Sequence, residues 1–286
     1  MSVDFEQICN KLKEIARGSG QILMKYFESD QLHENTKATS ADIVTDADLE
    51  SDKFIREQFA KNFPTFGVIT EEGSSVQPAH PGPDEIWLCA DPLDGTTNFS
   101  CNLPIFSVSI AALDCNFQPL VGVVYDPNRD EMFSAIKGKG SFLESPKGKK
   151  QLHARCNTEL IKCLLVTGFN PGHVHSSDNN LKEIAQILPK IRCLRRLGSA
   201  CLDFCYVAAA RLDGYWELGP HIWDVAAGWL VATEAGCLVT HYDGKGFTRE
   251  SLQQPILSLV CATPAIHKQI LENIQIARAA IGTNDK

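Results

Sequence analysis

The chain has 286 residues, 44% of them hydrophobic, and a formal net charge of -8. That length and apolar content suffice for a substantial core, in one large domain or two closely packed ones, while the acidic excess excludes a general nucleic-acid or membrane-surface binder, which needs Lys and Arg to displace counterions. The eleven cysteines show no CxxC pair and no zinc-ligand spacing, so they read as reduced core thiols; with no leader segment and no apolar run of bilayer length, the sequence predicts a cytoplasmic protein without a membrane span.

Apolar residues at Phe5, Ile8, Leu12, Ile15, Ile22, Leu23 and Tyr26 recur with a helical period across Gly18-Ser19-Gly20, either as two helical halves or as one helix packed closely at its small residues. Asp42 to Asp48 leads into a second helix through Phe54, Ile55 and Phe59, and Thr45 with Asp48 three residues on has the spacing of a capping pair. Strand-like runs follow at Phe66 to Thr70, Ile86 to Ala90, Ser107 to Leu113, Leu120 to Tyr125, Glu131 to Ile136 and Leu164 to Thr167, with a Pro/Gly/Ser surface loop at Gly73 to Pro83. Strands in such close succession around Ser107 to Leu143 pair antiparallel, because parallel neighbours need long crossovers, and this argues against a doubly wound sheet. The second half alternates: a helix at Asn180 to Leu188, a strand at Cys193 to Leu197, a helix from Ser199 closed by Gly214 and a strand at Tyr215 to Leu218. A helix over Trp223 to Ala235, strands at Leu238 to Tyr242 and Leu257 to Ala262, and a last helix with Thr263 as N-cap and Pro264 at its first position complete the chain. The elements predict α+β layers.

The most informative segment is Asp91-Pro92-Leu93-Asp94-Gly95-Thr96-Thr97-Asn98-Phe99, where an apolar strand runs into two carboxylates, a glycine and two hydroxyls. Both carboxylates stay ionised there only if a cation or hydrogen bonds compensate them, and hard divalent ions choose carboxylate oxygen. A plain Asp-Gly turn is the alternative. Gly95, Thr96 and Thr97 would present amides to an anion if a helix starts at this point. Three more acidic segments end apolar elements in the same way: Glu71-Glu72, Asp48 at a helix start, and Asp224 in Trp223-Asp224-Val225-Ala226-Ala227-Gly228. Singly, each suits a loop, a cap or a helix-dipole carboxylate.

Together, these segments resemble the inositol monophosphatase family, metal-dependent and lithium-sensitive sugar phosphatases, from Asp42-Ile43-Val44-Thr45 to Glu234-Ala235-Gly236. The resemblance implies a five-layered αβαβα sandwich with two largely antiparallel sheets, a homodimer, and a site where the metal-binding half 1–145 meets the substrate-binding half 146–286 of one compact unit. It implies two or three Mg²⁺ ions: one held by Glu71, Asp91 and the Leu93 carbonyl, a second by Asp91, Asp94 and Asp224, and a weaker third aided by Glu72. By the same resemblance Glu71 would also count among the catalytic groups, with Thr96 and Asp48 as the pair that orients and deprotonates the attacking water, and Lys37 resembles a basic residue near the site. Asp94, Gly95, Thr96, Ala200, Glu217 and Asp224 would face the substrate, a phosphate monoester of a small polyol or sugar, with myo-inositol monophosphate first and fructose 1,6-bisphosphate or another sugar phosphate as alternatives. The implied reaction is direct hydrolysis by a metal-activated water. Leu93 stands where Ile is frequent, Glu144-Ser145-Pro146 where Asn-Gly is common, and Gly236-Cys237 where Gly-Gly is frequent.

A haloacid-dehalogenase phosphatase spaces its aspartates at i and i+2, against i and i+3 here, and Thr97-Asn98 stands where bisphosphate nucleotidases usually carry Lys-Glu. A transcription-complex partner role, known for some bacterial members, would draw on Arg192, Arg195 and Arg196, whose segment equally suits a half-buried strand. His173 and His175 form an HxH in a polar loop, a pattern that seldom holds metal alone.

Overall fold

The computed structural model describes residues 3–29, 33–36, 43–170, 176–254 and 256–279. Lys37, His173 and His175 lie outside them. In chain order the elements are α1 (Phe5–Tyr26), β1 (Glu34–Thr36), β2 (Ile43–Thr45), α2 (Asp46–Asn62), β3 (Gly67–Thr70), β4 (Trp87–Asp94), α3 (Thr96–Ser100), β5 (Ser107–Leu113), β6 (Pro119–Asp126) and β7 (Glu131–Ile136). They continue with β8 (Ser141–Ser145), β9 (Gly148–Gln151), β10 (Leu164–Thr167), α4 (Leu181–Ile187), β11 (Cys193–Arg195), α5 (Ala200–Ala208) and β12 (Gly214–Leu218). α6 (Ile222–Glu234), β13 (Leu238–Thr240), α7 (Arg249–Leu252), β14 (Ser258–Ala262) and α8 (Pro264–Ala279) close the chain.

The N-terminal period resolves as one continuous helix, capped by Asp4, whose side chain accepts from the amides of Glu6 and Gln7. Its small residues allow close packing: a Cβ on Gly18 would come within 2.6 Å of the Phe54 ring, and one on Gly20 within 2.6 Å of Tyr125.

One sheet has seven strands in the order β3-β4-β5-β6-β7-β8-β9 and the other five in the order β11-β10-β12-β14-β13. The first is antiparallel except for β3 beside β4. In the second, β10 runs parallel to β11 and β12, while β12, β14 and β13 pair antiparallel. The parallel pairs arise where α4 and α5 supply the crossovers that such connections need.

Side-chain alternation in the strands assigns the layers. Leu88 and Ala90 of β4 pack with Leu12, Ile15, Ile55 and Phe59 of α1 and α2, whereas Trp87 and Cys89 face Phe204, Val225 and Leu230 of α5 and α6. Across the second sheet, Tyr215 and Cys261 face that same middle helical layer, and Trp216 and Val260 face Ile187, Ile266 and Ile270 of α4 and α8. The result is a helix–sheet–helix–sheet–helix sandwich, the α+β architecture expected. Among the described residues no helix is long and apolar enough to cross a membrane, and all eleven cysteines are free thiols.

Three features depart most from the sequence reading. β4 runs on to Asp94 through a register shift between Asp91 and Asp94, because the carboxyls at its end find their own donors. The hairpin β8–β9 carries no apolar alternation in its second arm, Gly148-Lys149-Lys150-Gln151, which is exposed throughout. The helix begun at Ser199 ends at Ala208, well before Gly214, which already belongs to β12.

Candidate active site

β3 and β4 run parallel with Thr70 opposite Ala90, so their C-terminal ends deliver Glu71 and Asp91 side by side. The Asp91 Oδ1 accepts from the Leu93 amide at 2.9 Å. Its carboxyl is 2% exposed and is held well above the usual carboxylate range, first by burial and then by the charges of Glu71, Asp94 and Asp224.

Asp94, beyond the bulge, reaches across to the second half of the chain. Its Oδ2 accepts from Ser107 Oγ at 3.1 Å, from the Cys201 amide at 2.9 Å and from Ser199 Oγ, and its Oδ1 accepts from the Ala200 amide at 3.0 Å. Asp94 therefore caps the start of α5 from another element. Burial, then Asp224, push its carboxyl up to about 6 despite those donors. Asp224 enters from the first turn of α6, where its Oδ2 accepts from the His221 amide at 2.6 Å in a capping box. Asp91, Asp94 and Asp224 each bring one carboxylate oxygen to a spot where all three lie within 4.8 Å of one another.

Beside this cluster, the start of α2 is closed by the capping box that the Thr45/Asp48 spacing predicts. Asp48 Oδ2 accepts from the Thr45 amide at 2.8 Å and from Thr45 Oγ1 at 2.6 Å, while Asp48 Oδ1 accepts from Thr96 Oγ1 at 3.0 Å. Asp48 is fully buried; desolvation, with the charge of Glu72 adding to it and the Thr45 and Thr96 bonds opposing it, pushes its carboxyl up to about 6. Thr96 Oγ1 also lies 3.1 Å from the Leu93 carbonyl. Gly95 holds φ at 102° as the N-cap of α3, and a Cβ there would meet the Ile105 carbonyl oxygen at 3.0 Å.

A cleft of about 180 Å³ joins these groups, lined by Glu71, Asp94, Gly95, Thr96, Ala200, Glu217 and Asp224 among others. Of the residues expected from sequence, Asp91 and Leu93 lie buried behind this wall, each 2% exposed or less, and Glu72 acts on Asp48 through its charge. Glu217 is pushed up to about 7 by burial, against the phenol donated by Tyr215.

The sequence reading missed Asp203 and did not place Arg196 at the site, yet both line the cleft. Asp203 stands in Cys201-Leu202-Asp203-Phe204-Cys205, and an acid inside an otherwise apolar helix is the signal that marks it. Asn98 was named only within the motif; its amide donates to the Ile105 carbonyl at 2.8 Å and the Leu197 carbonyl at 2.7 Å, tying α3 to the approach to α5.

The model of the Inositol monophosphatase family matches residues 4–279. A relative named Nus factor SuhB, from Pasteurella multocida, is 39% identical over 262 residues, 91% of this chain and 92% of its own. An inositol-1-monophosphatase from Mesorhizobium japonicum is 35% identical over 240 residues, 83% of this chain and 86% of its own. The crystal structure of extragenic suppressor protein suhB from Bartonella henselae superposes with a TM-score of 0.84 at 30% identity, covering 94% of this chain and 98% of that one. With the layered fold and the acidic cleft, these matches establish that the chain belongs to the inositol monophosphatase family.

Proposed function

We propose that the chain hydrolyses a phosphate monoester of a small polyol or sugar, with Mg²⁺ as cofactor and myo-inositol monophosphate as the first substrate to test. The observation that carries this reading is the convergence of Asp91, Asp94 and Asp224 oxygens within 4.8 Å of one another, beside the Asp48–Thr96 pair and on one cleft. The donor set fits the ion: these are hard oxygens, two of the three carboxyls are buried, and burial together with repulsion between neighbours raises Asp91 and Asp94, the situation a divalent cation relieves. Asp91, Asp94 and Asp224 would hold one ion, and Glu71, Asp91 and the Leu93 carbonyl another. Asp94 Oδ1, with a single donor, keeps a lone pair for this purpose. Bound there, Mg²⁺ would neutralise the phosphate and the developing alkoxide and lower the pKa of water.

The chain's own residues supply the rest. The Thr96 hydroxyl, bonded to Asp48 Oδ1, would accept a hydrogen bond from the attacking water and pass a proton towards Asp48, whose carboxyl near 6 suits a general base at neutral pH. On the leaving side Asp224 would hand on a proton, and Glu217, which lines the same cleft, would read substrate hydroxyls. Assay of a panel of phosphate esters with Mg²⁺ and with chelator tests the proposal. Turnover that persists undiminished in excess EDTA would remove the metal, and hydrolysis of no ester would remove the phosphatase.

A second reading, partnership with a transcription complex, is favoured by the name Nus factor carried by a relative 39% identical. Arg192 and Arg195 are exposed on or beside β11, the edge strand of its sheet. Capture of transcription proteins from lysate that survives chelation and is lost on Arg192→Ala with Arg195→Ala would support it. As the family resemblance implies, a homodimer is the expected form, to be read by light scattering.

A further inference from the structure

Asp203 has no structural explanation. It lies on α5 one turn beyond Ala200, is 1% exposed, and sits among Cys201, Leu202, Phe204 and Cys205, all fully buried in the helical layer between the sheets. Its Oδ1 is buried without a hydrogen-bond partner. An uncompensated carboxyl in such a place costs stability, and an apolar residue of similar size would remove the cost. Helical side chains lean towards the helix N-terminus, which for α5 is the end that meets Asp94 at the cleft. Asp203 accordingly lines that cleft together with Glu217, Arg196 and Asp224.

We infer that Asp203 is a specificity-determining residue, its orphan carboxyl pairing with Glu217 to read adjacent hydroxyls of the substrate's polyol part. The inference rests on the phosphatase reading above. Burial and the charge of Glu217 hold the Asp203 carboxyl well above the usual range, which favours its protonated form, a donor and an acceptor in one group. A vicinal diol presents the complementary pair. A cleft that leaves a buried polar atom unpaired until such a hydroxyl arrives discriminates strongly against esters that lack one. Arg196, whose charge opposes the rise at Asp203 and at Glu217, keeps the pair from excluding an anionic substrate.

The test compares kcat/KM for myo-inositol 1-phosphate and for p-nitrophenyl phosphate, an aryl ester without aliphatic hydroxyls, using the full chain with Mg²⁺. Asp203→Leu replaces both hydrogen-bonding atoms by methyl groups in the same branched shape, and Asp203→Asn keeps a donor and an acceptor. The ratio of the two kcat/KM values should fall at least tenfold in Asp203→Leu, chiefly through KM of the polyol ester, and by less in Asp203→Asn. An unchanged ratio, with both esters losing equally or neither losing, overturns the assignment. Should Asp203→Leu not fold, a fall of threefold or more in Asp203→Asn supports the inference and an unchanged ratio refutes it. If the wild-type chain hydrolyses no ester of the panel, the phosphatase reading itself fails, an outcome distinct from loss of selectivity alone.

Discussion

Asp48→Asn separates the chemistry at the head of α2 from its structure. Asp48 Oδ2 takes both Thr45 donors and Oδ1 takes the Thr96 hydroxyl. An asparagine can turn its one carbonyl to the Thr45 side and its amino group to Thr96, whose hydroxyl still reaches the Leu93 carbonyl at 3.1 Å. The cap and the packing survive, and the proton acceptor is lost. Removal of a general base should lower kcat by about 10²- to 10⁴-fold. Stability carries a second signature. The Asp48 carboxyl rises from 3.8 to about 6 on folding, so the folded chain binds its proton more tightly than the unfolded chain. Ionised Asp48 therefore destabilises: the penalty is absent below 3.8, grows as pH rises, and is complete above about 6. Two pKa units correspond to about 3 kcal/mol, and about half of that is already present at pH 5. The asparagine carries no such penalty, so in chelator the stability difference between variant and wild type should shift in the variant's favour by about 1.5 kcal/mol from pH 5 to pH 8. The assays are kcat with Mg²⁺ and urea unfolding at both pH values. A kcat within threefold of wild type would refute the base assignment, and a stability difference independent of pH would refute the burial argument.

Asp94→Asn should lower turnover by more than about 10-fold and also destabilise the chain by about 1–3 kcal/mol, because whichever way the amide turns its amino group faces a donor, the Ala200 amide in one orientation or Ser107, Ser199 and Cys201 in the other; a thermal midpoint equal to wild type contradicts the capping role. Asp224→Asn should lose turnover similarly but keep its midpoint, since the carbonyl can still accept from the His221 amide; near-normal turnover would show the metal cluster misassigned. Lithium at millimolar concentration should inhibit, with the block relieved as Mg²⁺ is raised, because a monovalent ion in the Asp91/Asp94/Asp224 position supplies too little charge; full activity, against sodium at equal ionic strength, would refute that occupancy. Gly122→Ala should cost about 1–3 kcal/mol by overpacking, as its Cβ would come 2.6 Å from the Ala227 carbonyl oxygen of α6; unchanged urea unfolding would mean that the sheet and helix part without strain.

Much of the site was legible because acids at the ends of apolar elements announce themselves: Glu71 after β3, Asp91 and Asp94 in β4, Asp224 in the first turn of α6. The Thr45/Asp48 cap followed from spacing alone. What stayed hidden depends on distant chain. Asp94 caps α5 from 106 residues away, and no local pattern encodes such a partner. Asp203 carried a signal, an acid in an apolar helix, but nothing local says that it faces the cleft, and β9 was hidden by its charged, exposed residues, whose side-chain partners Glu144 and Phe142 lie on β8. The parallel pairs around β10 were equally unreadable, since a helical crossover returns a strand to either neighbour.

The middle helical layer has a consequence for how the chain is made. The seven-stranded sheet is complete at Gln151, but the face bearing Trp87, Cys89, Ala111, Leu113, Val124 and Phe133 is covered only when α5 and α6 follow, the latter ending about 80 residues later. At about 5–20 residues per second, that apolar face stays bare for roughly 4 to 16 seconds on every ribosome. During this interval Asp91 and Asp94 lack Asp224 and α5, so the nascent sheet is at once most prone to aggregate and still without its complete carboxylate cluster.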